Sequence, residues 1–194
     1  ELSGLKVENS YYNLLMQGFR AGQLNLKREV PSGLAQLADP CDPIANSPYR
    51  SFEVGSLHDL SYYQGKLYLY FGVTPVLMLF WPYYELTGHY LLHRAAAVIF
   101  CAAGFLTSVG LMVALWRRYF WEVGVGVVAA CILALGLAGG TPLLLARSDV
   151  YEVAISCGYA LTMFALTLIW GAVHDLQRRG GWLAGASLAY GLAV

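Results

Sequence analysis

Arg147, Asp149 and Glu152 fall within six positions, between two stretches long enough to cross a membrane. With Glu8 and Asp59, the carboxylates of this group could act as bases. A carboxyl group half withdrawn from water at a membrane surface holds its proton more tightly, which suits general-base work. Arg50, Lys66 and Arg147 are the matching cations, since lysine as a point charge and arginine as a planar fork both bind phosphate. Each residue also has a purely structural reading. Glu152 beside Arg147 fits a helix-start charge next to a snorkelling arginine. Glu8 could cap a helix or stay solvated, Asp59 in LHDLSYY is a candidate N-cap, and Lys66 could anchor a membrane boundary. His58, His89 and His93 stand at no trusted ligand spacing and read as interfacial polar residues. Cys41, Cys101, Cys131 and Cys157 form no CxxC or other metal pattern, and they leave the redox compartment open.

The surrounding chain is strongly apolar. Of 194 residues, 58% are hydrophobic and 12% charged, about half the charge of an ordinary soluble domain. Residues 1–66 hold 13 of the 24 charged residues, so a polar head precedes an apolar remainder. The formal net charge of zero argues against nucleic acid as a partner. At 1.5 Å per residue a span needs about 20 residues, and the runs 91–116, 121–145 and 151–172 meet that length. A fourth run begins near 182 and is cut off at 194, so the chain reads as an internal fragment of a larger multispanning protein. Backbone polar groups in lipid need internal partners, which makes helices the expected form. The spacings Gly136–Gly140 and Gly181–Gly185 suit close helix contact. Alternating helix directions place Arg117–Arg118 and Arg178–Arg179 on one side, which the positive-inside rule makes cytoplasmic. The loop carrying Arg147, Asp149 and Glu152 then faces outside.

Residues 67–90 are rich in Tyr, Phe and Trp and carry Pro75, Pro82 and Glu85, which favours an interfacial helix over a span. Glu85 is expected to face the polar head. In that head, Tyr12, Leu15, Met16 and Phe19 form a helical stripe over residues 9–22, with Gly22 as a stop. Pro31, Pro40, Pro43 and Pro48 with Asx residues predict an ordered loop over 29–50. Residues 57–70 predict a hairpin or helix–turn around Gly65. No phosphate-cradling glycine loop, nucleophile elbow or zinc spacing occurs. The expected fold is an all-α polytopic membrane protein. It has an external polar loop (1–66), a juxtamembrane interfacial helix (67–90) and a transmembrane helix bundle (91–194).

In this order the pieces resemble the N-terminal half of the C-type membrane glycosyltransferases, such as protein O-mannosyltransferases and bacterial aminoarabinose transferases. ENSYYNLLMQGFRAGQL resembles the family's opening of the first external loop, with Glu8 in the first acidic place and Asn9 in the second. FGVTPVLMLFWPYYELTG resembles its aromatic juxtamembrane segment, with Thr74–Pro75 where Pro-Pro is common. Arg147 to Glu152 has the spacing of its second external loop. The resemblance implies transfer of a sugar from a polyprenyl-phosphate-type lipid donor to a hydroxyl on a glycan, lipid or protein acceptor. Its cleft would lie between the two external loops, in the cell membrane, with the bacterial inner membrane expected. Glu8, Glu152, Asp149 and Asp59 are then candidates for base or acceptor-orienting acid, and Lys66, Arg50 and Arg147 for the donor phosphate. No cofactor is required by the residues, although some members of the family hold a divalent cation on such carboxylates. Two other classes remain open. A transporter or flippase of a lipid-linked substrate would show midplane charges or paired, unwound half-helices, and a non-catalytic membrane scaffold would scatter the carboxylates.

Overall fold

The computed structural model describes residues 7–50, 60–138, 140–146 and 149–193. The chain divides into two compact units, Glu1–Leu91 and Leu92–Val194.

In the first unit a 3-10 turn, Val7–Asn9, leads into α1, Tyr11–Arg20. The apolar stripe of α1 is buried as its spacing requires, with Tyr12 and Met16 fully enclosed. Gly22, at φ +75°, closes the helix: its N–H donates to Phe19 O while the Gln23 N–H donates to Gly18 O. This left-handed stop uses the freedom of a residue without Cβ. Short helices α2, Ser32–Ala35, and α3, Ser47–Arg50, interrupt the proline-rich stretch. Asp39 and Asp42 turn the chain between them by accepting from the Cys41 and Ile44 N–H groups.

The unit also has strands, so the all-α expectation is corrected. β1, Leu60–Tyr63, and β2, Lys66–Leu69, form an antiparallel hairpin in which Tyr63 faces Lys66. Gln64 and Gly65 both take positive φ, 49° and 75°, which matches the twist of a two-residue hairpin turn. Leu67 anchors the hairpin on Leu34. Residues 67–69 therefore belong to a strand rather than to an interfacial helix. The helix of this region comprises a π-turn, Val76–Phe80, running into α4, Trp81–Thr87, which stops at Gly88 with φ +71°. Pro82 sits in the first turn of α4, where its missing N–H costs little.

In the second unit, α5 (His93–Tyr119) and α8 (Val150–His174) are each long and apolar enough to cross a membrane. Much of their surface is left uncovered by protein, including Val98, Ile99 and Leu106 on α5 and Phe164, Leu166 and Ile169 on α8. The run 121–145 does not form one helix. It is divided into α6, Val125–Ala138, and α7, Thr141–Ala146, because Gly140 turns left-handed at φ +72° and Pro142 cannot donate back across the gap. The last apolar run starts earlier than expected, as α9, Arg179–Ala193.

Contacts fix the directions. Ser108 on α5 hydrogen-bonds the Tyr159 hydroxyl on α8 at 2.9 Å, and further along Tyr119 Oη meets His174 Nε2 at 3.0 Å. α5 and α8 are thus parallel. α6 runs antiparallel to α5, with Gly136 against Phe105 and Trp116 Nε1 donating to Val123 O. α9 runs antiparallel to α8, with Gly171 against Trp182 and Gly185 against Leu168. Arg117, Arg118, Arg178 and Arg179 consequently lie at one end of this unit, and the start of α8 lies at the other.

One glycine of each expected pair makes a close contact, Gly136 against Phe105 and Gly185 against Leu168, while the tightest approaches are at Gly104 and Gly171. Gly140 is not helical and Gly181 has nothing within 4 Å of an added Cβ, whereas a Cβ on Gly104 would stand 2.5 Å from the Tyr159 ring. Small residues at such a crossing let two backbones approach. Gly104→Val should therefore destabilise the second unit by roughly 1–3 kcal/mol, the range for overpacking. Reversible unfolding in mixed micelles reads this, with Gly110→Val, whose added atom meets nothing within 4 Å, as the silent control.

Candidate functional site

Asn13 builds the ground on which Glu8 stands. Although polar, it is fully buried on α1. Its Nδ2 donates at 2.9 Å to Val7 O, Ser10 Oγ and Leu91 O. Gln17 Nε2 adds a bond to Glu8 O at 2.8 Å. The turn carrying Glu8 is therefore held on both sides of the residue, and the Glu8 side chain is half-buried.

α1 packs on the π-turn and α4 through Tyr12 against Phe80, ring centroids 5.3 Å apart, and Phe19 against Trp81 at 6.2 Å. This packing brings Arg20 to Glu85. Arg20 Nε lies 3.1 Å from Glu85 Oε1, and its guanidinium lies 4.5 Å above the Tyr84 ring. Trp81 Nε1 donates to the same Glu85 oxygen at 3.2 Å. Tyr84 in turn stacks on Tyr90 at 5.0 Å. Burial raises the Tyr90 phenol above its ordinary value of 10.0, and Tyr84 and the Glu8 charge push the same way, against Arg20. Glu8, Arg20, Glu85, Tyr84 and Tyr90 thus share one edge of the first unit. Glu85 faces the polar head as expected. The Arg20–Glu85 pair is about half exposed and contributes little to stability; its interest is chemical, as a guanidinium and carboxylates beside aromatic faces.

The second group of candidates has a different local role. Asp149 is the N-cap of α8, its Oδ1 accepting from the Val150 N–H at 2.8 Å, and Glu152 Oε2 accepts from the Asp149 N–H at 3.0 Å. This is a reciprocal capping box, which satisfies N–H groups that the helix start leaves unpaired. The D-x-x-E spacing ahead of an apolar run is itself the sequence signature of that box. His93, at the start of α5, is close enough to feel the Asp149 charge.

Lys66 is exposed at the hairpin turn, as the first residue of β2. Arg50 ends α3. Asp59 and Arg147 lie outside the described residues. Glu8 belongs to the first unit and the Asp149–Glu152 cap to the second. Among the described residues no group of three or more His, Cys, Asp or Glu could hold a metal ion, so the divalent cation allowed by the resemblance has no fitting site there. Arg20, Tyr84 and Tyr90 were not legible as site residues, because their partners are remote in sequence; a polar Asn13 beside the buried stripe was the one available flag. Comparisons with protein-family models, curated proteins and solved structures gave no match.

Two measurements follow from this geometry. Asp149→Ala should cost about 1 kcal/mol of stability in the second unit, a typical loss for an N-cap, read by denaturant titration in micelles. Because the folded Tyr90 pKa is raised, its stabilisation is complete below pH 10 and is lost as pH climbs through the folded value. Tyr90→Phe should remove that alkaline loss, and the difference between the tyrosinate absorbance titrations of the two proteins should show one phenol ionising above 10.

Proposed function

We propose that this chain is part of a membrane glycosyltransferase that moves a sugar from a polyprenyl-phosphate-type lipid to a hydroxyl acceptor on the external face of the membrane. The observation that carries this reading is the folding together of two of the three segments on which the resemblance rests. Residues 8–24 and 71–88 meet through Tyr12–Phe80, Phe19–Trp81 and Arg20–Glu85. Their junction supplies carboxylates, a cation and aromatic faces, which are what a lipid-phosphate sugar requires.

In this mechanism Glu8 takes the proton of the acceptor hydroxyl as its oxygen attacks the anomeric carbon. The bond to the lipid phosphate breaks, and the phosphate leaves with its electron pair. The Gln17 and Asn13 bonds hold the turn that carries Glu8 and so fix where that carboxylate can meet an acceptor. The leaving phosphate needs positive charge, for which Arg50, Lys66 and Arg147 are the candidates. Glu152, whose carboxylate is engaged by the Asp149 N–H, serves to hold the start of α8. The protein is multi-pass, with α5, α6–α7 and α8 crossing the bilayer and the Arg117–Arg118 and Arg178–Arg179 ends in the cytoplasm, in keeping with the positive-inside rule. The bacterial inner membrane is the setting proposed.

One observation favours a second reading, a transporter or flippase of a lipid-linked substrate. The α6–α7 break at Gly140 leaves irregular backbone inside an apolar run, and such backbone at membrane depth lines a cavity or is buried in protein. Among the described residues of the second unit it is a single interruption, whereas that class is expected to show a pair.

Glu8→Gln in the full-length protein separates the two. Loss of a general base should lower glycan transfer by about 100-fold or more while donor binding is kept. Full transfer activity in Glu8→Gln would remove the mechanism, and unchanged lipid translocation without transfer would favour the second reading.

A further inference from the structure

Away from the Glu8 edge, the first unit carries a half-open cleft of about 230 Å³ between α3 and the hairpin. Asn46, Tyr49, Ser61, Tyr62 and Cys41 line it, over a floor that includes Leu67. We propose that this cleft binds a single neutral sugar ring.

Its size sets the first limit. Sites for drug-sized ligands run to roughly 300–1,000 Å³, so a smaller cleft takes one ring rather than an extended molecule. Its charge sets the second: among the described residues no Asp, Glu, Lys, Arg or His lines it, so they offer a phosphate or a metal ion no counter-charge. Its polar groups set the third. Asn46 is 6% exposed, and its Nδ2 is spent on Pro40 O at 2.9 Å, yet its buried Oδ1 has no hydrogen-bond partner among the described residues. An unpaired buried acceptor costs free energy until a donor reaches it, and native proteins keep few of them. A hydroxyl of the occupant, once it reaches Oδ1, is the donor that would satisfy it. The tyrosines set the fourth, because Tyr49 and Tyr62 add broad apolar faces against which the C–H side of a pyranose packs. A hydroxylated ring with one apolar face meets all four conditions.

The inference stands on the cleft and does not require Glu8 to act as a base. It fits an acceptor glycan if the transfer reading holds, and it survives as a binding site if that reading fails.

Cys41 supplies a built-in reporter, being exposed and free while it lines the cleft. The intact protein in lipid nanodiscs is alkylated with a maleimide in the presence of methyl glycosides of glucose, mannose, galactose or N-acetylglucosamine. Cys41 is followed by peptide mass spectrometry, with a free cysteine peptide in the same mixture as the reference thiol. At least one glycoside should slow Cys41 several-fold and leave the reference peptide unchanged. Asn46→Leu should raise the concentration needed for protection about tenfold, the worth of one good hydrogen bond. Tyr62→Ala should lose protection, and Tyr63→Ala, a neighbour outside the cleft, should not. Failure of every glycoside to protect Cys41, protection that persists in both Asn46→Leu and Tyr62→Ala, or protection by adenosine in place of the sugars would each overturn the proposal.

Discussion

The Asn13 side-chain amide reaches Leu91, 78 residues away, and shares two protons among three acceptors. The bond to Leu91 O is buried, so it is made in a low dielectric and is costly to break, while the other two are partly buried. They tie the turn bearing Glu8 to the stretch that carries Tyr90, and the ring contacts of α1 with the π-turn and α4 follow from that attachment. Without the amide, Leu91 O would be left as an enclosed acceptor, and the edge shared by Glu8, Arg20 and Glu85 would lose its registration. The Asn13 Oδ1 itself has no hydrogen-bond partner among the described residues, so the attachment is made at some cost in free energy.

The second unit obeys a different constraint. Its long helices leave large apolar side chains uncovered, so burial alone does not hold them together. Close approach at small residues does: Gly104 under Tyr159 and Gly171 under Trp182 let dispersion contacts form over long stretches of backbone. A few polar contacts, such as Ser108 with Tyr159 and Tyr119 with His174, then choose one register among many. The same end of the unit gathers the arginine pairs, so helix direction and charge distribution describe one polarity.

Much of this was legible from local pattern. The α1 stripe, the Gly22 stop, the hairpin around Gly65 and the two long apolar helices each follow from periodicity or from a residue with special backbone freedom. The misreadings have physical causes. Hydropathy over 121–145 counts apolar side chains and does not register that Gly140 reverses the sign of φ. An aromatic run from 67 onward looks uniform, yet Leu67 is drawn into a strand by its contact with Leu34. In the candidate site, the helix-start reading of Glu152 is met by the Asp149–Glu152 capping box, whereas the Arg20–Glu85 pairing depends on a tertiary fold that no local pattern contains.

The parallel course of α5 and α8 has a consequence for the link that joins them. α5 has 27 residues and rises about 40 Å. The polypeptide must retrace most of that length before Asp149, using a 14-residue α6, a 6-residue α7 and the few residues that join them. Such a return path has little slack. Dropping one residue from α8 ahead of Tyr159 would turn the preceding part of the helix by about 100° relative to its partner, so that what now faces α5 would face lipid or solvent. Length in this stretch is thus as strictly dictated as side-chain chemistry, and insertions here are tolerated only where the joints, and not the helices, absorb them.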